Sequence, residues 1–142
     1  MKKLVLIVVG VLAIAGVFVF KAISKGPVDV AKAKAQQVTA PVLYNEYLTD
    51  SSRSAKKFTA KVLLVEGVVN EVLPASANRQ ALVKLKTSVA GAFINCSMEF
   101  TTTTISKGDA TKIKGICSGL GEGDADLGIP GDVYLSRCMV AE

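Results

Sequence analysis

Histidine and tryptophan are absent from the 142 residues; cysteine is reduced to three copies and proline to four. Without histidine there is no Ser-His or Cys-His couple and no imidazole ligand, which removes most hydrolytic triads and most zinc chemistry. The cysteines, Cys96, Cys117 and Cys138, are scattered, with no C-x-x-C spacing, so no metal site is expected. Four prolines beside twelve glycines exclude collagen-like and proline-rich classes, and a composition that is 50% hydrophobic excludes a disordered chain. These absences point away from an enzyme and away from a bound cofactor.

The net charge of +5 is unevenly placed. Residues 1–27 carry Lys2, Lys3, Lys21 and Lys25 and no acid, whereas the rest of the chain carries 13 bases and 12 acids. A domain that neutralises phosphates usually concentrates its bases in a stripe. None is evident here, which disfavours a nucleic-acid partner.

Leu4 to Phe20 is an uninterrupted apolar run behind Met-Lys-Lys, and counting on to Ile23 gives 20 positions, enough for a helix of about 30 Å. Ala13-Ile14-Ala15 resembles a signal-peptide cleavage site, but the run continues five residues beyond it, which favours a retained anchor over residues 1–23. No cysteine follows the run, so bacterial lipidation is excluded. Lys2 and Lys3 favour the cytoplasmic side. The expected result is a single-pass inner-membrane protein whose carboxyl-terminal domain lies outside the cytoplasm.

Residues 24–38 read as a linker, broken from the apolar run by Gly26-Pro27, and residues 39–142 as the domain. Thr39 and Pro41 open an amphipathic helix with Leu43/Tyr47 and Tyr44/Leu48 as i,i+4 pairs, ended by Asp50-Ser51-Ser52. Five strands follow: Val62–Val72 with Gly67 as a bend or bulge, then Gln80–Lys86, Gly91–Phe100, Ala110–Ser118 and Val133–Val140. One helix before five strands, the first of them bent, suits a small closed Greek-key barrel. An open sheet covered by a helix has the same periodicity.

The chain resembles the bacterial tRNA-anti-like family of OB-fold proteins, small exported or membrane-anchored chains. The resemblance spans roughly residues 40–141. It is carried by Ala55-Lys56-Lys57-Phe58-Thr59-Ala60-Lys61, by Leu63, Val65, Gly67 and Val69, and by Asn95-Cys96 and Lys107-Gly108-Asp109. Ile113-Lys114-Gly115-Ile116-Cys117 and Val133-Tyr134-Leu135-Ser136-Arg137-Cys138 complete it. It implies a mainly β fold, a five-stranded OB-like Greek-key barrel preceded by one helix, and it implies no activity.

Gly119 to Gly123 follows a strand like a phosphate loop, but Glu122, Asp124, Asp126 and Asp132 would repel phosphate. As a calcium loop those acids fail, because Leu127 stands at the sixth position and Val133 at the twelfth. Ser106-Lys107 lies in a polar loop that offers no burial to activate a lysine. Export would permit a Cys117–Cys138 disulfide between the last two strands, with free core thiols as the other reading. An OB barrel also offers the outer face of its second and third strands. Here that face carries Lys84, Lys86, Phe93 and Asn95, flanked by Arg79 with Ser76 and Asn78. These residues form the candidate binding surface for a protein or glycan; the plainer reading is a soluble barrel wall with Phe93 packed under the helix. The expected function is a membrane-anchored, non-enzymatic binding module of the cell envelope. A single-stranded nucleic-acid binder is the alternative.

Overall fold

A computed structural model describes residues 26–100 and 104–141. In chain order they form β1 (Gln36–Thr39), α1 (Ala40–Thr49), α2 (Ser51–Phe58), β2 (Val62–Leu73), β3 (Leu82–Lys86), β4 (Phe93–Met98), β5 (Ala110–Leu120) and β6 (Val133–Ala141). The expected anchor over residues 1–23 lies outside the described residues, among which no helix is long and apolar enough to cross a membrane.

The strand order β2-β3-β4-β6-β5 returns to β2 through β2–β5 pairing, so five strands close a barrel. All neighbours are antiparallel except β4–β6, which run parallel as the Greek-key crossover requires. Closure depends on β2 serving two partners. Val62–Val68 pair with β5, and Val69–Leu73 pair with β3 across a register shift between Val69 and Glu71. Gly67 lies just before that shift, where a Cβ would stand 3.0 Å from the Cβ of Ala40 and 3.4 Å from that of Leu85. The glycine therefore admits the start of α1 against the bend. The turn Lys107-Gly108-Asp109 docks on the same bend: Gly108 N donates to Val69 O and Val69 N donates to Asp109 O, at 2.9 and 2.8 Å.

The five barrel strands fall where the alternation of apolar residues puts them, but three details differ from the sequence reading. Gln36–Thr39, read as the end of the linker and the first residue of the helix, is a sixth strand paired in parallel with Leu63–Glu66 on the outside of the barrel. There are two helices, not one. Asp50 closes α1 through its N–H to Glu46 O, then caps α2 by accepting from Arg53 N at 2.9 Å. Leu48 is exposed, so the buried face of α1 is Ala40, Leu43, Tyr44 and Tyr47. Together with Phe58 these side chains join Leu63, Val65, Leu85, Ile94, Ile113 and Leu135 in one core.

Candidate functional site on the outer face of β3 and β4

The β3–β4 register places Lys86 opposite Phe93 and Lys84 opposite Asn95. On its other side Asn95 faces Tyr134 of β6. Four of the five sequence-predicted surface residues are thus brought together. Arg79 is not: it sits in the β2–β3 loop, paired with Ser76 through two backbone hydrogen bonds, beside a cleft of about 440 Å³ bounded by Met98 and Glu99. Met98 closes β4 at the end opposite Phe93, roughly 17 Å along the strand. The loop cleft and the aromatic patch are separate features.

The patch is less basic than its sequence suggests. The Lys84 ammonium stands 5.6 Å from the centre of the Phe93 ring and 3.2 Å from a Glu71 carboxylate oxygen. Its charge is therefore shared between a ring face and a carboxylate. Phe93 is half-buried beside it and is not part of the core that the helices join. Asn95 is buried although it points outward, at 4% exposure.

Asp132 accounts for that burial. One of its carboxylate oxygens accepts from Phe93 N at 2.8 Å and the other from Asn95 Nδ2 at 2.7 Å. Since a carboxylate of this kind only accepts, the bond fixes which end of the Asn95 amide is nitrogen. The amide oxygen is left buried with no partner among the described residues. Tyr44 holds the same loop from the helix side, its hydroxyl donating to Gly131 O at 2.8 Å. Burial, with the nearby Asp132 charge second, raises the Tyr44 hydroxyl pKa and keeps it a donor. Sequence reasoning missed Glu71, Asp132 and Tyr134. Asp132 was grouped with the loop acids, and only its place directly before the apolar start of β6 sets it apart.

Asp124, the centre of the rejected calcium loop, accepts from Asp126 N and Leu127 N at 3.1 Å each. Its carboxylate shapes the turn. No group of three or more His, Cys, Asp or Glu positioned to hold a metal ion occurs among the described residues.

The cysteines are free and buried, and the expected Cys117–Cys138 bridge is not formed in this structure. A register shift in β6, where Arg137 takes φ +52°, pairs Cys117 with Leu135 and turns Cys138 toward β4. The Cys117 sulfur then lies 3.5 Å from the Tyr47 hydroxyl, and the Cys138 thiol meets Cys96. Burial pushes the Cys117 pKa up. Contact with Cys138 first, and burial second, raise that of Cys96 well above the ordinary thiol value. Neither holds the thiolate that a nucleophile needs.

The family model for tRNA_anti-like proteins matches residues 1–126. This chain belongs to the tRNA_anti-like family. The closed strand order around a bent first strand is the OB architecture of that family. Among solved structures, a protein described as a "putative nucleic acid-binding lipoprotein" from Klebsiella pneumoniae is similar, with a TM-score of 0.52 and 15% identity over 82% of this chain and 100% of the other. At that identity the likeness supports the fold of this tRNA_anti-like chain and nothing finer. No curated protein matches.

Proposed function

We propose that this tRNA_anti-like chain is a non-enzymatic binding module of the bacterial envelope, anchored in the inner membrane by residues 1–23, with its barrel outside the cytoplasm. We infer that it recognises a protein or glycan partner through the outer face of β3 and β4. The observation that supports this reading best is the charge balance of the face. Lys84 is paired with Glu71, and the Asp132 carboxylate lies within the same surface, leaving Lys86 as its one unpaired cation among the described residues. Such a face suits neutral polar groups and a stacked apolar edge better than a run of phosphates, because phosphate binding draws on unpaired bases. The lipoprotein description of the structural neighbour is compatible with an envelope location. Here the apolar run, with no cysteine behind it, would take the place of a lipid.

The second reading, a single-stranded nucleic-acid binder, draws on the same neighbour's description and on Phe93 and Tyr134 as stacking surfaces. Anisotropy of a labelled oligothymidine with the full chain in detergent, at 50 and 200 mM salt, separates the two. Negligible binding at either salt is expected. Tight binding with a steep salt slope would overturn the protein-or-glycan reading. In-cell photocrosslinking from position 86 is the positive arm, and it should give products that crosslinking from position 124 does not. Intact mass of the membrane-extracted protein checks the anchor, and a mature chain starting at Gly16 would refute it.

A further inference from the structure

The segment that leads out of the apolar run is fastened to the barrel. Val28 O accepts from Arg137 Nη1 at 2.9 Å, Ala31 O accepts from Lys114 Nζ at 3.0 Å, and Val30 is 1% exposed. The segment thus crosses the outside of β6 and β5 before turning into β1. In the ring order β2-β3-β4-β6-β5, the strand that touches neither β5 nor β6 is β3. The chain therefore enters on the side of the barrel opposite the β3 face.

Only four residues lie between Ile23 and Val28, so the two stand at most about 17 Å apart even when the chain is fully extended. A barrel pinned at Val28 cannot swing freely about such a short tether. The surface around the entry point is also basic. Lys34 and Lys61 border a groove of about 510 Å³ whose other walls are Ala35, Gln36 and Val62. Lys32 is exposed two residues before Lys34, and Lys114 donates to Ala31 O of the same segment. The acids nearby are Asp29, 3.7 Å from Lys32, and Glu99, which is paired with Arg137. Lys34 and Lys61 have no acidic partner among the described residues, and Val28 exposes an apolar side chain at the entry itself.

We infer that the β5–β6 side of the barrel, with residues 28–36 across it, lies against the bilayer and that Lys32, Lys34 and Lys61 contact anionic lipid headgroups, turning the β3–β4 face away from the membrane. The inference rests on the proposal that residues 1–23 are membrane-inserted. Basic side chains at the edge of an anchor are drawn to anionic headgroups and screened by salt. The short tether and the pinned entry convert that attraction into one orientation of the barrel.

The test uses the full chain in nanodiscs of phosphatidylcholine alone or mixed with phosphatidylglycerol, with a water-soluble amine-acetylating reagent read by mass spectrometry. Lys86, exposed on β3, is the internal reference. In mixed discs Lys32, Lys34 and Lys61 are expected to react roughly fivefold more slowly relative to Lys86, the size of one base's attraction to an anionic surface. High salt should restore them, and Lys34→Glu with Lys61→Glu should release Lys32 while the chain stays on the disc. A chain retained on neutral discs whose three lysines match Lys86 in both lipids overturns the orientation and leaves the anchor standing. A chain lost from neutral discs but held by anionic ones, with the lysines protected, overturns the anchor and keeps the lipid face. Release from both kinds of disc overturns both.

Discussion

Single atoms decide two features of this barrel. At Gly115 an added Cβ would stand 2.5 Å from the Cys138 sulfur and 3.2 Å from Ser136 O. The missing side chain is the space into which Cys138 turns after the β6 register shift. Gly115→Ala should cost about 1–3 kcal/mol through overpacking. Combined with Cys138→Ala it should cost clearly less than the two changes summed, because the clash partner is gone. Urea midpoints of the four chains measure that coupling, and strict additivity would refute the shared space. Tyr47 supplies a pH dependence. Burial, followed by its contact with Cys117, moves its hydroxyl up to about 12 from an ordinary 10. The neutral phenol then contributes stability that is present in full below pH 10 and disappears as the pH climbs to 12. Tyr47→Phe, although less stable at neutral pH for want of its bonds to Thr59 and Cys117, should lose less over that alkaline window than the unaltered chain. Denaturation midpoints from pH 9 to 12 provide the comparison.

At the scale of elements, the β5–β6 loop is tied to the barrel by Asp132, which satisfies one backbone donor of β4 and one end of the Asn95 amide. Asp132→Ala leaves both donors without that acceptor in a half-buried setting, a loss of about 2–3 kcal/mol. It should also loosen Phe93 N to amide exchange while the β2–β5 amides keep their protection. Equal loss of protection in both regions would show that the loop is no separate unit. This element also shows where the sequence stopped being legible. The five barrel strands were readable because each buries alternate apolar residues, as in Val83 and Leu85 or Ile94 and Cys96. β1 was not, because Gln36-Gln37-Val38-Thr39 has no apolar alternation of its own and forms a strand only where Leu63–Glu66 offers a free edge. The break between the helices escaped because Asp50 ends one helix and caps the next in the same residue. In the candidate site, Lys84, Lys86 and Phe93 were legible from strand parity. The burial of Asn95 was not, since it depends on an acid 37 residues away.

For the whole molecule, the cysteines report on whether the barrel opens as one body. Cys96, Cys117 and Cys138 lie on β4, β5 and β6, each at 1% exposure or less, and all three belong to the same core. In a ring of strands no member can swing out without losing hydrogen bonds on two edges, so a partial opening costs nearly as much as a full one. A thiol reagent should therefore find all three cysteines unreactive in the native chain. As urea is added, the three should become reactive together, with one common dependence on its concentration. Pulsed alkylation followed by peptide mass spectrometry resolves each site. A cysteine that reacts early would mark a strand that detaches alone, with Cys138 the one to watch because the β6 register shift weakens its pairing on both sides. The same maps decide the redox question left by the expected compartment. Protein isolated from cells without reductant should yield no bridged Cys117–Cys138 peptide, as the separate neighbours of those two thiols require. A bridged Cys117–Cys138 peptide would mean that β6 takes up a different register in the oxidised protein, one without the displacement at Arg137.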